Sequence, residues 1–178
     1  MYNFLSVRAF RLVLAVLFAF GLSVGAVADE AVGSVQLVTS APYSADNDIR
    51  NKIKTKCKNL GTKLSSFTQS YAKKQGVQVA LVDSFDTAAS GQVLELEISD
   101  AVSQGNAFIG HQKFVRVRGT LWENGSRVAS FDGQRSSGGG LAGGYKSSCA
   151  VLGRCVKALG KDIGAWLANP EDAAELGE

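Results

Sequence analysis

Apolar residues recur along this chain at two periods, and the switches between them mark out its elements. Ile49, Ile53, Cys57, Leu60, Leu64, Phe67 and Tyr71 step by four and three residues. That is one apolar stripe on a long helix, capped near Asp46, running to about Lys74 and stopped by Gly76. Gly61 weakens its middle and allows close approach of the sheet. A second stripe of Leu152, Cys155 or Val156, Leu159, Ile163, Trp166 and Leu167 marks a helix from about Ser148 to Asn169, stopped by Asn169-Pro170.

The strands read differently. Val32 to Thr39 is a first strand ended by Ala41-Pro42, and Val77 to Val82 is short, apolar and β-branched, as an interior strand is. The succession strand, helix, strand makes a βαβ unit with a right-handed crossover and parallel pairing. Gln92 to Ser103, Ile109 to Trp122 and Arg127 to Gln134 then follow as three antiparallel strands. In the first, Leu94, Leu96 and Ile98 alternate with Glu95 and Glu97. In the second, Val115, Val117 and Leu121 alternate with Arg116, Arg118 and Thr120.

Charge alternation suggests a register. A turn at Gly105-Asn106-Ala107-Phe108 sets Glu97 opposite Arg116, Glu95 opposite Arg118 and Asp100 opposite Lys113, with apolar pairs on the other side. A three-residue loop, Glu123-Asn124-Gly125, then brings Phe131 against Val117 and Ala129 against Gly119 on the core face.

The order is therefore β-α-β-β-β-β-α. Each helix has one apolar stripe, so the fold is α/β of the two-layer α+β kind: a mixed five-stranded sheet with two helices on one face. No internal repeat is evident.

The amino terminus changes the picture of where this domain works. Arg8 and Arg11, the apolar run Leu12 to Val24 and the small-x-small site Ala26-Val27-Ala28 before Asp29-Glu30 read as a cleaved signal peptide. Residues 1–28 are then the signal, 29–170 a single domain, and 171–178 an acidic disordered tail. Export places the mature chain in the periplasm, or outside the cell, where disulfides persist. The first cysteine is Cys57, so none is placed for lipid attachment, and no other stretch is apolar enough to span a bilayer.

Removing 28 of the 178 residues leaves 150, a usual size for one core. The signal holds two of the 19 basic residues and none of the 16 acidic ones, so the mature charge is +1. That balance is no nucleic-acid signature. Lys52, Lys54, Lys56, Lys58 and Lys63 are spread around a helix and read as a solvated face rather than a site for an anionic partner.

Candidate chemistry is sparse. Three cysteines suggest one bridge and one leftover thiol. The expected pair is Cys149 with Cys155, leaving Cys57 buried, provided that the helix begins after Cys149. If the helix includes Cys149, pairing of Cys57 with one of the others is the better geometry. Gly139, Gly140, Gly143, Gly144 and Lys146 form a loop resembling a phosphate-binding one, but Tyr145 separates the last glycine from the lysine. It reads as a connection with room for an anion or partner at its amides. His111, the one histidine, sits near a strand start with no nucleophile placed beside it. Asp83, Asp86, Glu95, Glu97 and Asp100 do not follow a calcium-loop spacing, and the strand glutamates serve as cross-strand partners for arginine. No catalytic residue, metal site or cofactor is called for.

Three stretches carry a resemblance: Val115-Arg-Val-Arg-Gly-Thr-Leu through Val128-Ala-Ser-Phe, Arg135-Ser-Ser-Gly-Gly-Gly, and Cys149-Ala-Val-Leu-Gly-Arg-Cys155 through Trp166-Leu. Together they resemble a family of small exported bacterial proteins of unknown function. In element order the chain is also distantly similar to the amino-terminal domain of TolB and to curli-secretion-type lipoproteins, without the lipidated cysteine of the latter. The resemblance implies a periplasmic role in binding or assembly and supplies no catalytic residues. The reading is a non-enzymatic exported protein that binds or helps assemble an envelope partner, protein or ligand, with no nucleic acid involved and no membrane span after cleavage. The alternative is a small periplasmic hydrolase, or an anion- or lipid-binding module, using the Gly-rich loop or His111.

Overall fold

A computed structural model describes residues 33–45, 49–106, 110–137 and 147–177, with backbone alone at 105, 106, 110 and 111. The expected signal, the Asp46 cap and the Gly-rich loop with Gly139, Gly140, Gly143, Gly144 and Lys146 lie outside them. Among the described residues nine elements follow in order: β1 (Val35–Val38), α1 (Asn51–Lys56), α2 (Leu60–Lys74), β2 (Val79–Val82), β3 (Gln92–Asn106), β4 (Gly110–Glu123), β5 (Ser126–Ser136), α3 (Ser148–Trp166) and β6 (Ala174–Gly177). The described strands form one mixed sheet in the order β2-β1-β3-β4-β5-β6. The two-layer α+β architecture is as expected, with a sixth strand and a third helix beyond the expected five and two.

The third helix comes from a break in the long apolar stripe. Ile49, Ile53, Cys57, Leu60 and Leu64 are all buried on one side, as their spacing demands. At Cys57 the backbone leaves helical geometry (φ −106°, ψ 43°). Its carbonyl accepts from Leu60 N–H at 3.1 Å and from the Tyr43 hydroxyl at 3.3 Å. A continuous helix would offer that carbonyl to residue 61 instead.

The sixth strand comes from the tail. Residues 171–178 were expected to be disordered, yet Ala174–Gly177 pairs in parallel with β5, Phe131 opposite Ala174 and Gly133 opposite Leu176. Ala174 and Leu176 pack on the core, and the Trp166 indole donates to the Glu171 carbonyl at 3.0 Å, fixing the approach. A four-residue strand gains its order from this pairing rather than from its own propensity.

Both helical connections lie on one face. A Cβ at Gly160 would stand 2.9 Å from Thr68 N, and one at Gly164 would stand 2.6 Å from Ala72 N, so α3 lies against α2 with its backbone close and the two run parallel. The Cβ of a residue at 61 would overlap the Ala41 carbonyl, so that glycine admits the chain leaving β1 rather than a strand. The pairs β1/β2 and β5/β6 are both parallel and open toward opposite edges. With their helices on a shared face, the two crossovers must differ in hand. One of them is the uncommon left-handed form.

The core fills the space between the layers: Leu37, Leu94, Leu96, Ile98, Val115, Val117 and Phe131 from the sheet meet Leu64, Leu152, Leu159 and Ile163 from the helices. Every facing expected for β3 up to Ile98 and for β4 holds. The register does not. Glu97 lies opposite Arg118 rather than Arg116, Ile98 opposite Val117, and Leu96 opposite Gly119. Pairing continues to Asn106 opposite Gly110, so β3 runs past its expected end at Ser103. The shift is by two residues, and an even shift preserves which side each residue faces.

Two bulges complete the pattern. Ser99 is an extra residue between the pairs Ile98–Val117 and Asp100–Arg116. Strict alternation puts Asp100 on the same side as Ile98, but the bulge turns it to the polar face, opposite Arg116 and not Lys113. In the next hairpin Asn124 (φ 50°) and Gly125 (φ 81°) form a two-residue turn, not the expected three-residue loop. Val128 is the extra residue there, between Leu121–Ala129 and Trp122–Arg127. It returns Phe131 to the core, opposite Gly119 instead of Val117, and Ala129 comes opposite Leu121.

Candidate functional site

Helices on one side leave the other face of the sheet open, and its side chains are sorted into rows by the register. One row runs Glu97, Arg118, Asp132 and Glu175 across β3 to β6; the next runs Asp100, Arg116 and Gln134. Arg118 Nη2 lies 2.9 Å from Glu97 Oε1 and 3.5 Å from the buried Ser44 hydroxyl. Arg116 donates from Nε to Gln134 Oε1 and lies over the Phe114 ring. The Trp122 indole donates to Glu95 Oε2 at 3.0 Å, and the tryptophan pairs across the strands with the buried Val93. The strand glutamates thus have cross-strand partners, though Glu95 takes an indole rather than Arg118.

Two recesses open on this face. The first, about 350 Å³, lies between the strands and the loops that leave β1 and β2. Its floor carries Glu95, Glu97, Arg118 and Thr120, and its apolar wall is Val38, Pro42 and Phe85. The second, about 360 Å³, is lined by Arg116, Asp132, Gln134 and Glu175 toward the β6 edge. Carboxylates and guanidinium groups beside an apolar wall can hold a polar or charged partner by paired hydrogen bonds.

At that edge a cluster that sequence reading missed ties β6 to β5. Arg127 Nη2 donates to Asp172 Oδ1 at 2.7 Å and to the Ser130 hydroxyl at 2.7 Å, and Ser130 donates to Asp172 at 2.9 Å. The Ser130 hydroxyl holds the Asp172 carboxyl below the usual range; desolvation opposes it, and the Arg127 charge and the Ala173 amide add to the lowering. The alternation of Ala174-Glu175-Leu176-Gly177 is the signal in the sequence that points to this strand.

The cysteines are arranged otherwise than expected. Cys57 pairs with Cys149, Cα to Cα 5.3 Å, and Cys155 is a buried free thiol whose pKa is pushed up by its burial. The expected Cys149–Cys155 bridge fails for a geometric reason. The helix begins at Ser148, with the Ser147 hydroxyl accepting from Ala150 N–H at 3.3 Å, so both cysteines are helical and six residues apart.

His111 lies on β4 opposite Gly105, at the far end of that hairpin from the first recess. Asp86 accepts from Ala88 N–H at 2.9 Å and so serves a turn. Asp100 accepts from the Ala101 amide at 2.7 Å. Among the described residues no group of three or more His, Cys, Asp or Glu could hold a metal ion, and no helix is long and apolar enough to cross a membrane.

No protein family and no curated protein matches this sequence. Solved structures do. A variant of PelC from Paraburkholderia phytofirmans, a dodecamer, is similar at 16% identity and TM-score 0.45 over 74% of this chain and 88% of that one. The PelC dodecamer in a second crystal form aligns at 15% identity and TM-score 0.44, over 72% of this chain and 86% of its own. A minor lipoprotein from Acinetobacter baumannii aligns at 15% identity and TM-score 0.45, over 78% of this chain and 96% of its own.

Proposed function

We propose that this is an exported, non-enzymatic protein that binds, or helps to assemble, a partner in the bacterial cell envelope, and that it does so through the open face of its sheet. The observation that carries the reading is the recess of about 350 Å³ where Glu97, Arg118 and Thr120 meet Val38, Pro42 and Phe85. A continuous face of paired charges beside an apolar wall suits recognition, and each charge there is already positioned by a neighbour.

Export is supported by the signal-like residues 1–28 and by a disulfide that fits an oxidising compartment. The resemblance to the TolB amino-terminal domain and to curli-secretion-type lipoproteins supports the same role.

The test is affinity capture from native envelope extract, using the mature protein and a variant with Arg118→Glu and Thr120→Lys. The expected result is a discrete partner retained by the natural chain and lost by the variant, with both melting at similar temperatures. A capture that is identical for the two overturns the assignment to this face.

A further inference from the structure

Charge in this molecule is sorted by layer. Residues 49–76 and 147–169, the helices and their flanks, hold eleven of the 17 Lys and Arg that follow residue 28, and only one acidic residue, Asp162. The other described residues hold five cations and ten acids. The helical layer is thus +10 and the other described residues −5. A net charge of +1 conceals this separation.

The one acid does not dilute the cations around it. Asp162 is held by Arg135 of β5, at 2.8 and 3.1 Å, and so faces the sheet. Among the described residues, no cation of the helical layer forms an ion pair. All but the half-buried Lys54 are exposed.

Six of them, on α2 and α3, form one surface. Because α2 and α3 run parallel and in contact, the Lys63 ammonium reaches across to within 3.9 Å of where a Cβ on Gly153 would lie, beside Arg154. Arg154, Lys157 and Lys161 follow at three- and four-residue steps along α3. Lys73 and Lys74 continue the surface at the end of α2.

The composition of this face indicates what it meets. Five of its six cations are lysine, a residue depleted from protein–protein interfaces, where aromatic residues and arginine concentrate. The one large hydrophobic residue exposed among those described, Val128, belongs to β5. Lysines are mobile point charges, without the fixed fork that arginine offers to one carboxylate or phosphate. Such a face suits a diffuse sheet of negative charge. We propose that the outer face of α2 and α3 docks on an anionic lipid surface, held by electrostatic attraction without insertion. The acidic sheet face then points away from the lipid. This does not depend on the partner proposed for that face.

The experiment is co-sedimentation of the oxidised chain from Asp29 onward, which contains every described residue, with vesicles of phosphatidylcholine alone or mixed with phosphatidylglycerol. Binding is expected to the mixed vesicles only, and to be lost at high salt, as surface charges are screened. Each cation near an anionic leaflet strengthens binding about fivefold. Replacing Lys63, Arg154, Lys157 and Lys161 by Gln together therefore weakens binding on the order of 100-fold or more. The variant with Lys63→Arg, Lys157→Arg and Lys161→Arg retains binding, which separates loss of charge from loss of fold. Equal binding to both vesicle types overturns the proposal, as does unchanged binding by the Gln variant. Retention on heparin or DNA with no vesicle binding overturns it too, in favour of a soluble polyanion.

Discussion

Gly119 and Phe131 face each other across β4 and β5 on the core side, and the Phe131 ring occupies the space a Cβ at 119 would fill. The ring is 2% exposed and meets Trp166 of α3 edge-on at 4.7 Å. One glycine thereby lets a large, fully buried aromatic side chain lie under the helices. Its backbone freedom is not at issue, since the position needs only space.

Substituting Gly119 by Ala should therefore destabilise the fold by about 1–3 kcal/mol through overpacking. Phe131→Ala should cost about 3–5 kcal/mol through the cavity it leaves. Urea denaturation of both variants checks this, and a Gly119→Ala variant as stable as the natural protein excludes the packing described.

The Cys57–Cys149 bridge joins the break between α1 and α2 to the first turn of α3 across 92 residues of sequence. Replacing both cysteines by Ser should lower stability by about 2–4 kcal/mol, as expected for a bridge closing a long loop. Non-reducing peptide mapping should find Cys57 linked to Cys149. Cys155 should resist alkylation at neutral pH until the chain is unfolded, because burial both shields the thiol and disfavours its thiolate.

Glu97 and Arg118 retain side-chain exposures of 31% and 45%. Water screens such a pair, so a double-mutant cycle should give a coupling of only about 0.2–1 kcal/mol, falling with added salt. A coupling of several kcal/mol would place the pair in a drier setting than the open face provides.

Asp172 gives stability a pH dependence of known sign. Its folded pKa lies below the ordinary value, so its contribution is present above the unfolded carboxylate pKa and is lost as pH falls through the lowered one. Asp172→Asn should be less stable than the natural chain near neutral pH, and the two should converge in acid. Urea midpoints measured from neutral pH into strong acid check this. A gap that persists unchanged in acid rules out the carboxylate as its cause.

What the chain by itself determined is periodicity. The four- and three-residue steps from Ile49 to Leu64 and from Leu152 to Leu167 identify the helical faces, and the alternation around Leu94–Ile98 and Val115–Leu121 identifies the core side of the strands. These follow from local geometry, because a residue's facing depends only on its neighbours along the chain. The cross-strand use of the glutamates was readable for the same reason, while their individual partners were not. Tertiary structure decided whatever depends on a count between distant segments. The bulges at Ser99 and Val128 set which residues pair, and each reverses the alternation beyond it, so a register built on unbroken alternation misses them. The helix start at Ser148 decided the disulfide by turning Cys149 away from Cys155 and toward Cys57. The strand at Ala174–Gly177 exists because β5 presents an edge to it, with Asp172 and Trp166 holding the approach. The cationic face of α2 and α3, likewise, arises only when the two helices are laid side by side.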